Sequence, residues 1–116
     1  MDEKLAEICF HVISEVGLAR SCFIDSIEAM KNGDEKESQR LRQEGEEHFN
    51  AGHKIHADLI QKEVNGEGVT PNLFLIHAED ILMSAETFKI VSEQYIDLLK
   101  RISINLHSGA NNPFVY

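Results

Sequence analysis

Six histidines, at positions 11, 48, 53, 56, 77 and 107, are the side chains best suited to chemistry near neutral pH. His53 and His56 lie three apart, so one helical face would present both, as a metal site needs. Asp58, the nearest acid, turns away from that face, which leaves the two as solvated or boundary histidines. His77 and Asp80 share the same spacing in different company. His77 stands about 60° around the helix from Phe74, at the border of an apolar stripe, and Asp80 stands about 60° further round. An unprotonated imidazole at such a border is a nucleophile, able to accept a phosphoryl group on one ring nitrogen while a hydrogen bond holds the other. Spacing alone reads His77 as a space-filling boundary residue, because an i,i+3 His/Asp pair is common by chance. His11, beside Val12, is expected to be partly exposed, and His107 lies at a fraying end.

Composition narrows the chemistry. The chain has 116 residues, enough for one domain and too few for a cleft between two. Eleven Lys and Arg against twenty Asp and Glu give −9, a field that repels nucleic acid and anionic lipid and favours a basic protein partner. The longest apolar runs are four residues, such as Leu73 to Ile76, so neither a targeting nor a membrane segment is read, and the protein is expected to be soluble and cytoplasmic. Cys9 and Cys22 form no metal-knuckle pattern and no disulfide framework, and both read as small core or near-core residues.

The elements that must position these groups are helices. Leu5, Ile8, Cys9, Val12, Val16, Ala19, Phe23, Ile27 and Met30 repeat at three and four, predicting a first helix to about Lys31. Asn32-Gly33-Asp34 stops it and starts another, with Glu37 placed for a capping box. The second helix has a thin stripe of Leu41, Gly45, His48/Phe49, Gly52, Ile55/His56, Leu59 and Val64. Asn65 to Gly68 breaks it, and Thr70-Pro71 is expected to cap a third helix from about Pro71 to Leu106. Short connections make an antiparallel, up-down-up, all-α three-helix bundle, a single domain over 1–107 with a flexible tail at 108–116.

The third helix carries two apolar faces. Phe74, Ala78, Ile81, Ala85, Phe88, Tyr95 and Leu99 form the expected core stripe, while Ile76, Met83 and Ile90 lie nearly opposite and repeat every seven residues. Leu73, Asp80, Thr87, Gln94 and Arg101 run beside them with the same period. A three-helix bundle has one core, so the second face predicts a partner, either another copy of the chain, which the heptad spacing favours, or a fourth element that buries the helix on all sides.

The segment His77-Ala78-Glu79-Asp80-Ile81-Leu82-Met83 resembles the phosphorylation segment, usually written HxQDHLM, of the lactose/cellobiose-type enzyme IIA components of the bacterial sugar phosphotransferase system. Gly17 to Ser21, Asn32-Gly33-Asp34 and Gly52 to Ile60 resemble three further stretches of that family, in order. The resemblance implies a nine-helix homotrimer with the third helix at the axis. It implies that His77 accepts a phosphoryl group from phospho-HPr and passes it to a cysteine of a IIB component during sugar uptake, associated with the membrane only indirectly through IIC. Asp80 matches the acid that gathers around one Mg2+ per trimer, and His53 and His56 are candidate neighbours of the phosphate pocket. Three carboxylates at an axis would repel one another, and a hard divalent cation removes most of that cost. Glu79 and His56 stand where the family usually has Gln, Ile81 where it has a second His, and Gly52 where it has Ala. Gly17 and Gly52 suggest close helix approach, and Arg20 a boundary salt bridge or a phosphate neighbour. A different reading of the same residues is a trimeric interaction or sensor module that has lost phosphotransfer. A metal-storage bundle is disfavoured, because the inward Glu-x-x-His motifs of such sites are missing.

Overall fold

The computed structural model describes residues 2–108, with side chains as far as Ile104. Three helices account for nearly all of it: α1, Glu3–Lys31; α2, Glu35–Val64; and α3, Leu73–Ser108. The expected tail lies outside the described residues except for Ser108, the last residue of α3, and the side chain of His107 lies outside them too.

Local chemistry sets the helix ends. The Asp2 carboxylate accepts from the Lys4 amide at 3.0 Å and caps α1. Gly33, at φ +80°, takes the left-handed turn after it, where a side chain would be strained. Asp34 caps α2 by accepting from the Glu37 amide at 3.1 Å. Only half of a capping box forms, because the Glu37 carboxylate turns to Arg40, which donates to it at 2.6 and 2.9 Å and holds it below the usual carboxylate range. The cap of α3 is Asn72, whose Oδ1 accepts from the Leu75 amide at 2.9 Å, and not Thr70. Asn caps at least as well as Thr, so the start moves two residues along and leaves Pro71 outside the helix.

Contacts between helices fix the topology. Ser38 donates to the carbonyl of Ser26 and His48 meets Glu15, so α2 runs antiparallel to α1. Lys100 meets Glu35 and Arg42 meets Glu93, so α3 runs antiparallel to α2. The result is an up-down-up rod, 61 × 22 × 20 Å.

The core is built around α1. Leu5, Cys9, Val12, Val16, Ala19 and Phe23 are buried against Phe49 of α2 and Ala78, Leu82 and Ala85 of α3. The thin stripe of α2 works because two glycines let α1 come close. A Cβ at Gly52 would lie 2.5 Å from Val16 Cγ1, and one at Gly45 2.7 Å from the Phe23 ring. Val64, placed in the α2 stripe by periodicity, is exposed. Polar and cationic contacts join α2 to α3: Arg42–Glu93, Lys100–Glu35, His56–Glu79, and the Lys89 ammonium over the Phe49 ring.

On α3 the buried line is Ala78, Leu82, Ala85, Ser92 and Ile96. Tyr95, expected in the core, is 42% exposed, and Leu99 is only half-buried. The stripe is centred on Ala78 and Ala85, not on Phe74, which sits at its edge, and that offset carries Tyr95 out of the core. The opposite face is open as the heptad pattern predicts: Ile76, Met83 and Ile90 are 58, 58 and 55% exposed. Among the described residues, no helix is long and apolar enough to cross a membrane.

Candidate functional site

His77 occupies the second turn of α3 and is exposed, at an open depression lined by Asn72, Leu73, Phe74 and itself. The Asn72 cap starts the helix there and fixes the height of the imidazole on the flank of α3 that faces α1. Among the described residues no side chain bonds to either ring nitrogen. Asp80, one turn further on, is exposed on the outer face among Ile76 and Met83.

His53 and His56 lie elsewhere in the protomer. His53 is exposed, its ring 5.9 Å from that of Phe49. The His56 side chain is 18% exposed, and its Nε2 lies 2.6 Å from Glu79 Oε1. Glu79 is two residues from His77 along α3 and therefore on the other flank, so His56 is on the α2 side while His77 is on the α1 side. Glu79 is half-buried in this inter-helix pair. This pair unites two departures from the family pattern, each a charged or ionisable group in place of Gln. A second such pair, His48 Nδ1 to Glu15 Oε2 at 2.7 Å, ties α2 to α1. Sequence spacing gives no sign of either, because partners on different helices meet only through the inter-helix register. His11 is exposed as expected.

Among the described residues Arg20 makes no salt bridge. Its Nε donates to Ser84 Oγ at 2.9 Å, and its guanidinium lies 4.9 Å over the Phe88 ring. Ser84 is two turns, about 10.5 Å, beyond His77 along α3, so Arg20 does not touch a group on His77 within the protomer. Cys9 and Cys22 are buried and free, and burial pushes both thiols up; Glu79 adds to the effect on Cys9.

For a metal, the described residues of one chain hold no group of three His, Cys, Asp or Glu side chains. A lone exposed carboxylate cannot supply the oxygen cage a hard divalent cation takes, so Asp80 fits such an ion only where several copies bring their Asp80 side chains together with water.

The family described as the lactose/cellobiose-specific IIA subunit of the phosphotransferase system matches residues 7–100. The chain belongs to this family. It is 41% identical over 98 residues to the oligo-beta-mannoside-specific EIIA component of Bacillus subtilis, covering 84% of this chain and 89% of that one. It is 34% identical over 103 residues to the lichenan-specific enzyme IIA component of the same organism, covering 89 and 94%. Among solved structures, the cellobiose-specific enzyme IIA from Bacillus anthracis superposes with a TM-score of 0.81 at 34% identity, covering 84% of this chain and 90% of that one. As a IIA-family member the chain is a phosphotransferase-system protein of the sugar-transport type, with a histidine in the depression at the start of α3.

Proposed function

We propose that the protein is the phosphocarrier of a sugar phosphotransferase system for a lactose/cellobiose-type sugar, acting through His77. The observation that supports this most directly is the placement of His77: exposed, without a bond at either ring nitrogen among the described residues, and beside an apolar depression that a partner protein can cover. In the first step a neutral His77 nitrogen attacks the phosphorus of phosphohistidine on HPr. The new N–P bond forms as the donor's N–P bond breaks, and each histidine keeps the proton on its other nitrogen. In the second step a cysteine thiolate of the IIB component forms an S–P bond as the His77 N–P bond breaks, returning a neutral imidazole. Such transfers pass through loose transition states, so they need positioning and charge stabilisation more than further covalent machinery. IIC, the membrane component, is reached only through IIB.

The working form is a homotrimer built on the exposed Ile76/Met83/Ile90 face. In it the Asp80 carboxylates of the three copies would hold one Mg2+, whose charge would offset their mutual repulsion. His56, with His53 one turn before it, then borders the neighbouring copy's phosphate pocket, because the α2-side flank of one copy faces the α1-side flank of the next.

Incubation with HPr, enzyme I and phosphoenolpyruvate, read by intact mass, tests the reading. The parent gains one phosphoryl group; His77→Gln gains none while keeping the parent's helical content and molar mass; His53→Gln and His56→Gln are still labelled. Labelling of His77→Gln to the parent's extent, or an unlabelled parent, would sink the reading and leave the interaction-module alternative.

A further inference from the structure

The start of α3, which carries His77, is held in two different ways. Its apolar hold is the core contact of Ala78 and Leu82, with Phe74, Leu75 and Ile81 partly buried beside them. Apolar packing has no preferred direction, and Ala78 offers it only a methyl group, so this contact resists separation of the helices more than rotation of α3 about its own axis. On the flank toward α2, His56 donates from Nε2 to Glu79 Oε1 at 2.6 Å, a bond that fixes direction as well as distance. The charge of Glu79 is also felt by the Cys9 thiol of α1, so the carboxylate stands where all three helices meet. Among the described residues this is the one polar tie from α2 to the turns of α3 around His77, because the contacts of Lys89, Glu93 and Lys100 lie about three turns or more beyond it.

Rotation is the motion that would disturb His77 most. A side-chain ring stands about 5–6 Å from its helix axis, so turning α3 by about 10° carries the imidazole about 1 Å sideways. A misplacement of that size can slow a reaction by about a hundred-fold. His77 and Glu79 are two residues apart and on opposite flanks, so pinning one fixes the bearing of the other.

We infer that His56 is a positioning residue for phosphoryl transfer: by bonding Glu79 from α2 it fixes the rotation of the first turns of α3, and with it the direction in which His77 meets its partners. The inference rests on His77 as the phosphoryl carrier and deepens that reading, since it gives His56 a role that needs no contact with the phosphoryl group.

Single-turnover transfer from phospho-HPr to the full chain tests this, with His48→Ala as the control, since His48 makes the same kind of pair with Glu15 about two turns earlier on α2 but ties that helix to α1. His56→Ala and Glu79→Ala are each expected to lower the rate at saturating donor by about ten-fold or more, to leave the half-saturating donor concentration unchanged, and to keep helical circular dichroism. The double variant is expected to be no slower than either single one, and His56→Gln and Glu79→Gln, whose amides can rebuild the bond, to keep the parent's rate. His48→Ala is expected to lower the urea midpoint as His56→Ala does, yet to transfer as the parent does. Should His56→Ala fail to fold, Glu79→Ala, at the more exposed partner, carries the test. Equal slowing in His48→Ala would make the effect a general loosening of the bundle and overturn the inference. Slowing in only one of His56→Ala and Glu79→Ala would mean that this residue acts on the transfer by itself, and slowing in neither that the pair does not position His77; each result overturns it while leaving the carrier reading in place. A parent that accepts no phosphoryl group overturns the carrier reading and this inference with it.

Discussion

Cys9 and Cys22 show how burial sets reactivity at the residue scale. Both are packed between helices, and both thiols are pushed up, chiefly by burial. A thiol reagent at pH 8 is expected to label the native chain slowly and the urea-unfolded chain rapidly; fast native labelling would contradict the packing. The sign of the pH effect follows. Because the folded value is raised, the stabilisation is full below the unfolded thiol value of about 8.5 and is lost as pH rises through the folded value. Urea midpoints are therefore expected to fall on the alkaline side, and to fall less in Cys9→Ala when compared with its own neutral-pH midpoint. The burial of Cys9 was legible because it lies on the periodic stripe of α1, whereas Cys22, beside the stripe residue Phe23, was read only as core or near-core from its residue type. The partners of His48 and His56 were not legible, since Glu15 and Glu79 are brought to them by tertiary register, and no local pattern encodes it. His77 was legible as a boundary residue, and only the surrounding segment, by resemblance, distinguished it from an ordinary one.

At the scale of elements, the glycines separate intramolecular from open positions. Gly52→Ala places a methyl 2.5 Å from Val16 Cγ1, in a core without slack, and is expected to destabilise the protomer by about 1–3 kcal/mol, read by urea denaturation. Gly17→Ala meets nothing in the protomer and is expected to stabilise the isolated fold by up to about 1 kcal/mol through helix propensity. Equal effects at the two positions would mean that contact geometry does not govern them. Heptad spacing found the open face of α3 and capping residues found the start of α2, but the core stripe was set too far round. Phe74 is large and apolar, so it drew the centre of the stripe toward itself, whereas the small residues Ala78, Ala85 and Ser92 are what let α1 pack closely. Small side chains carry little hydrophobic signal, and a stripe built on them is easily misphased. The same difficulty conceals how α2 is held to α3. Arg42–Glu93 and Lys100–Glu35 are partly exposed pairs worth at most about 1 kcal/mol each, so amide exchange in α2 is expected to quicken with salt more than that in α1; uniform behaviour would argue against an ionic hold.

For the whole molecule, the excess of acid and the uncovered face of α3 make opposite demands. Net charge of −9 opposes the gathering of like chains, while exposed Ile76, Met83 and Ile90 favour it, and Asp80 lies among them as a carboxylate with no cationic partner among the described residues. In the proposed trimer, three such groups at the axis are tolerable only with an added positive charge, because carboxylates a few ångströms apart in an apolar seam repel by several kcal/mol. The same acidic field would speed the approach of a basic HPr, so its association rate is expected to fall as salt rises, and a salt-independent rate would argue against an acidic docking face. The axis itself is tested by exchanging charge for packing. Asp80→Leu removes the repulsion together with any need for a cation and extends the apolar seam, so light scattering is expected to give about three times 13.1 kDa with a melting temperature equal to or above the parent's. A chelator is then expected to lower the melting temperature of the parent and leave that of Asp80→Leu unchanged, since an ion held only by the folded assembly stabilises it by mass action. If the chelator moves both proteins equally, the ion acts elsewhere than Asp80. If it moves neither while the parent remains trimeric, no cation is held at Asp80 and the metal reading is overturned.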